Sequence, residues 1–105
     1  MIDTLNLSKY IVSKCYNQQK PISNIQLQKI LYELNKQYSF DACIEQIGNL
    51  YVYPKVYYHF SGFGIMPISI VESYKPVNYQ LKEITDEIID NILSLNIWQC
   101  YIKHI

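Results

Sequence analysis

The stretch Pro21–Tyr38, PISNIQLQKILYELNKQY, decides how this chain folds. Ser23 is a preferred N-cap residue, because its hydroxyl can accept from an otherwise unpaired backbone N–H of the first turn. Gln26, three positions on, can reach back to the Ser23 N–H and complete a capping box. Ile22 and Leu27 occupy the two positions of a hydrophobic staple. Leu27, Ile30, Leu31, Leu34 and Tyr38 then fall on one apolar stripe at helical spacing, while Gln26, Lys29, Glu33, Lys36 and Gln37 take the wetter remainder. The expectation is a helix over 23–38 whose Leu27, Ile30, Leu31 and Leu34 lie in the core.

Upstream, Thr4 is placed to cap a first helix over 5–17, in which Leu7, Ile11 and Cys15 stack one turn apart. Pro21 disfavours helical geometry at Lys20, and so short a connection implies a helical hairpin. Downstream the periodicity changes. Residues 39–53 hold β-branched and aromatic residues around a Gly48-Asn49 turn signal, so 44–47 and 50–53 read as a two-stranded hairpin. Pro54 suits the first position of a third helix, 54–61, with Val56, Tyr57 and Phe60 inward and Gly62 and Gly64 ending it. Residues 65–74 alternate like a strand, Ile68 and Ile70 against Ser69 and Val71, and Pro67 argues for an edge. Thr85 is placed to cap a fourth helix over 85–97, with Ile84, Ile88, Ile92 and Leu95 as its stripe. The tail 97–105 reads as a short helix with Trp98, Tyr101, Ile102 and Ile105 on one side. The fold class expected is α+β, mainly α: a compact helical domain over 1–105 with four to five helices and a small β-hairpin or sheet between 43 and 72.

Half of the 105 residues are hydrophobic, enough for a real core. Nine lysines balance nine acidic residues and arginine is absent, which is neither the basic stripe that nucleic acid draws nor the strong acidity of a DNA mimic. Cys15, Cys43 and Cys100 are odd in number and far apart, so free thiols in a reducing compartment are expected. There is no basic leader followed by an apolar run, and no window near the roughly 18 apolar residues that a membrane span needs. A cytoplasmic protein without membrane association is expected.

Little in the chain points to chemistry. Cys100 and His104 sit one helical turn apart, but two ligands do not make a metal site. Asp41 and Glu45 could pair as carboxylates, yet on a loop or strand they face water or cap a turn. Gly62-Phe63-Gly64 lacks the lysine and helix start of a phosphate loop. No catalytic residue, metal or cofactor is assigned, and the protein is expected not to be an enzyme. The aromatic run Tyr51, Tyr53, Tyr57, Tyr58, Phe60, Phe63 suits a protein interface better than a stacking platform for single strands, given the charge balance.

The run Asn6–Tyr32 resembles the N-terminal signature of the Panacea-domain family (SocA/GepA-like proteins). Tyr10-Ile11 matches its "Y-I" pair, and Pro21-Ile22-Ser23 with Leu27-Gln28-Lys29-Ile30-Leu31-Tyr32 matches its "P-I-(T/S)" and "L-Q-K-(L)-L-Y" elements. Phe40-Asp41 through Ile47 is similar to the family's "F-D-x-x-I-E-A-W". Pro54, Val56-Tyr57, Phe60 and Phe63-Gly64 are similar to its "P-x-V-Y-x-x-F-x-x-(Y/F)-G", and Trp98 and His104 faintly echo its C-terminal end. Over Ile47–Val52 the chain departs from the family's "W-x-Y-G-P-V" and keeps only the valine. The resemblance implies a non-enzymatic factor that neutralises a toxin or other protein by direct contact. An antitoxin, or a phage inhibitor of a bacterial defence system such as an anti-CRISPR protein, acting in a bacterial host cell, is the expectation. The contact surface is expected around the altered segment 48–63, with Tyr51, Tyr53, Tyr58 and His59 exposed to the partner. The alternative is a small nucleic-acid-binding regulator, using the 54–61 helix or Lys29 and Lys36. Self-association through the aromatic patch is also open.

Overall fold

A computed structural model describes residues 1–63 and 65–103. The helix that the central stretch encodes, α2 (Asn24–Asn35), is capped by Ser23, whose hydroxyl accepts the Gln26 N–H at 3.1 Å while Gln26 Oε1 accepts the Ser23 N–H at 2.9 Å. Ile22 and Leu27 are both buried, as a staple requires. Leu27, Ile30, Leu31 and Leu34 are fully buried, as their spacing predicts. The helix stops one turn short of Tyr38, where the Asn35 side-chain amide donates to the Tyr38 carbonyl at 2.9 Å and closes a turn.

Around α2 stand α1 (Thr4–Asn17), α3 (Pro54–His59), α4 (Tyr79–Leu93) and α5 (Ile97–Cys100), each in contact with it. One antiparallel hairpin, β1 (Glu45–Ile47) and β2 (Leu50–Val52), pairs Glu45 with Val52 and Ile47 with Leu50. Gly48 turns it at φ 60°, a left-handed conformation open to glycine. The protein is therefore mainly α with a small β element.

Several boundaries differ from the sequence expectation. Asp3, not Thr4, caps α1: its carboxylate accepts the Asn6 N–H at 3.0 Å. Thr4 instead donates from its N–H (3.0 Å) and its hydroxyl (2.7 Å) to Asp41 Oδ1, so α1 has two carboxylates at its N-terminus. The far end of α1 closes in a Schellman arrangement, Lys20 N–H to Cys15 O and Gln19 N–H to Tyr16 O, with Gln19 at φ 60°. The third helix ends at His59 rather than 61. The fourth starts six residues earlier than Thr85, capped by Asn78, which accepts the Gln80 and Leu81 N–H groups. Its buried side is Leu81, Thr85, Ile89 and Ile92, with Ile84, Ile88 and Leu95 only partly covered. Thr85, expected as a cap, is fully buried mid-helix, and its hydroxyl has no partner among the described residues. The last helix is a single turn, and the rest of the expected 97–105 helix either leaves helical geometry or, at His104 and Ile105, lies outside the described residues.

The expected edge strand over 65–74 does not form. Residues 65–78 make an irregular strap, fixed by the Ile68 N–H donating to the Ile22 carbonyl at 2.8 Å and by burial of Ile68. Alternation there has a simpler cause than a sheet: one residue is pinned inward and its neighbours are left in water.

The short α3 has no side-chain cap of its own; α2 supplies what it lacks. Gln28 Oε1 accepts the Tyr53 N–H at 2.7 Å, at the start of α3. The Asn24 side-chain amide donates to the Tyr57 and Phe60 carbonyls at 3.0 and 3.3 Å, at its end. Gln28 Nε2 donates to Asn24 Oδ1 at 3.1 Å, linking the two buried carboxamides. Orphan groups at both ends of a helix are thus satisfied by two neighbouring turns of another.

Candidate functional site

The four residues expected on the partner-facing surface separate into different environments. Tyr53 is 1% exposed, which corrects its assignment as a surface contact. The strand ends at Val52, and the chain turns inward to begin α3, so Val52 and Tyr53 are buried in succession and strand alternation no longer applies. Its hydroxyl donates to Asn35 Oδ1 at 2.9 Å and its ring lies 5.7 Å from that of Phe40. Burial pushes its phenol well above the usual range. Tyr53 is a strut of the core.

Tyr51 is half-buried and lines a small cleft with Ile25, Gln28 and the C-terminal residues Cys100, Tyr101 and Ile102. Tyr58 is 59% exposed, its ring edge-on to Tyr57 at 5.7 Å. His59 stands edge-on to Phe60 at 4.7 Å, and its Nε2 lies 2.6 Å from Glu72 Oε2. The other oxygen of Glu72 is 3.9 Å from Lys9 Nζ. One carboxylate from the strap therefore links α1 to the end of α3. Beside it the strap carries Ile65, Met66, Ile70 and Val71 in exposed positions, with Tyr74 edge-on to Tyr10 at 5.4 Å. Neither Glu72 nor Lys9 stood out in the sequence; the only local sign is a single acidic residue inside the apolar run Ile68–Tyr74.

The remaining candidates are accounted for by structure. Asp41 makes no carboxylate pair with Glu45 but caps α1, and the Thr4 N–H bond, followed by the Thr4 hydroxyl and the field of Lys55, holds its carboxyl below the ordinary value. Lys29 and Lys36 close on Glu33 at 3.3 and 3.0 Å and lie over the Tyr32 ring, so a phosphate would have to displace existing partners. Glu33 is desolvated, but the two lysines outweigh this and lower its pKa. Cys15 and Cys100 are buried. Burial pushes the Cys15 thiol up to about 11 and raises that of Cys100, leaving both protonated at neutral pH. Cys43 is exposed. Among the described residues no three His, Cys, Asp or Glu side chains gather as a metal site, and no helix is long and apolar enough to cross a membrane. No family model, curated protein or solved structure matches the chain.

Proposed function

We propose that the protein is a non-enzymatic, protein-binding factor that neutralises or inhibits its partner, as an antitoxin does or as a phage inhibitor of a bacterial defence system does, in the cytoplasm of a bacterial host. The observation that carries this is the concentration of exposed apolar side chains between the end of α3 and the strap: Tyr58, Ile65, Met66, Ile70 and Val71. Exposed apolar groups gathered in one region, with a histidine and a carboxylate among them, are what a protein interface uses. The resemblance to Panacea-domain proteins supplies the direction, neutralisation by contact. Tyr58 and His59 form the centre of the contact set, whereas Tyr51 lines a cleft with Cys100, Tyr101 and Ile102 and Tyr53 is buried.

The test is capture from nuclease-treated host lysate on the tagged protein, beside a Tyr58→Ala/Met66→Ala variant. One co-purifying protein, lost with the variant, is the expected result. Retention of no protein would reject the reading, and material that appears only when nuclease is omitted would put a nucleic-acid-binding regulator in its place. Recovery of the chain itself, with a sedimentation coefficient that rises with concentration, would make the surface a self-association face.

A further inference from the structure

A groove of about 370 Å³ lies between the first half of α1, the start of α3 and the strap, and Lys9, Lys55 and Lys75 all line it. Three of the chain's nine lysines thus converge on one concavity of a molecule with no net charge. Through the shared residues Asp3, Asn6 and Lys75 it continues into a second hollow of about 280 Å³, whose walls include Leu7, Pro76, Val77 and Leu81. We infer that this two-part groove receives an acidic segment of the protein partner, with carboxylates at the lysine end and a neighbouring apolar side chain at the other.

The charges are arranged for this. Among the described residues Lys55 and Lys75 belong to no ion pair, and the pair Lys9 makes with Glu72 is long at 3.9 Å. The nearby carboxylates are engaged with the protein's own donors: Asp3 with the Asn6 N–H, Asp41 with Thr4, and Glu72 with His59. Two of the three ammonium groups, those of Lys55 and Lys75, thus lie outside any ion pair among the described residues, and Lys55 acts on Asp41 only through its field. The wall is also preorganised, because the Asn6 side-chain amide donates to the Lys75 carbonyl at 3.1 Å and its oxygen accepts the Lys75 N–H at 2.7 Å. A groove fixed before binding loses less freedom when filled. A nucleic-acid strand fits less well: its phosphates repeat regularly and would run from the lysines onto the apolar wall of the second hollow.

This inference rests on the protein-binding reading and narrows it to a class of partner segment. The probe is a displayed library of random peptides, selected on the full chain and on a Lys55→Glu/Lys75→Glu variant whose unchanged thermal midpoint shows it folded. The expected outcome is a consensus of Asp or Glu next to Leu, Ile or Phe, recovered on the natural chain alone. Its synthetic peptide should bind the variant, and its Glu→Gln counterpart the natural chain, at least about tenfold more weakly. A consensus without acidic residues, or an acidic one indifferent to the charge reversal, would overturn the groove. If that consensus instead needed Tyr58, protein binding would stand and only the groove would fall. No enrichment would also overturn the groove, leaving lysate capture to judge the broader reading separately. Displacement of the peptide by a single-stranded oligonucleotide at equal concentration would reassign the lysines to phosphate.

Discussion

Two carboxamide clasps hold neighbouring parts of this molecule in opposite circumstances. Inside, Asn24 and Gln28 of α2, both buried, bind the backbone at both ends of α3. Outside, Asn6 of α1 binds both backbone groups of Lys75 in the strap, in the open. The bonds are alike in chemistry and length. Their cost of removal is not, since water can replace a lost partner only at the exposed clasp. The comparison teaches that α2 and α3 are locked together as one unit, whereas the clasp that orders the strap on α1 adds little to the stability of the core.

The widest separation between the regions should come from apolar truncations. Leu31→Ala on α2 is expected to cost about 2–5 kcal/mol, because the cavity cannot collapse at a fully buried site. Ile70→Ala on the strap should stay within about 0.5 kcal/mol. Urea titrations of both variants, compared at their midpoints, check this; similar losses would mean that the strap packs as core.

The clasps themselves give the next effect. Gln28→Ala strands the Tyr53 N–H and Asn24 Oδ1 and should destabilise by about 1–3 kcal/mol. Asn6→Ala should cost less than about 1 kcal/mol. Amide hydrogen exchange separates them locally: Lys75 should exchange faster in the Asn6 variant, while Tyr53 stays protected.

Asp41→Ala removes a cap of α1 for about 1 kcal/mol. The carboxyl titrates lower in the folded chain than its ordinary 3.8, so its contribution is complete above that value and fades as the pH falls through the lower native one. Thermal midpoints should therefore differ between natural chain and variant at neutral pH and converge in strong acid. A constant gap would show that the cap acts without its charge.

The smallest effect has the opposite sign. Thr85→Val replaces a buried, unpartnered hydroxyl by a methyl group of the same shape, and should stabilise by up to about 1 kcal/mol. Destabilisation would reveal a bond to the Thr85 hydroxyl that is absent among the described residues.

What was legible in the sequence follows the same division. The start of α2 could be read because cap, capping box, staple and stripe are local and agree with one another. The hairpin could be read because Gly48-Asn49 announces its turn. The start of α4 could not, since Thr85-Asp86-Glu87 imitates a helix start more convincingly than Asn78-Tyr79-Gln80 does. Buried Gln28 looks no different in sequence from Gln26 or exposed Gln37, because what distinguishes it is α3, twenty-five residues away. The site suffers most from this. Tyr58 and His59 stand out because they fall in an aromatic run, whereas Glu72, Lys9, Lys55 and Lys75 are brought together only by the return of the strap across α1. Tyr53 was misplaced because a strand's alternation was extended one residue past the strand.

The strap also sets where this chain can be divided. Its exposed, irregular backbone over 69–74 is the kind of segment at which proteases nick a folded protein. A single cut there leaves α1, α2, α3 and the hairpin on one piece and α4 and α5 on the other, and α2 touches both helices of the second piece. The packing of α2 on α4 and α5 spans the cut, so a nicked chain keeps the contacts that would hold its two pieces together.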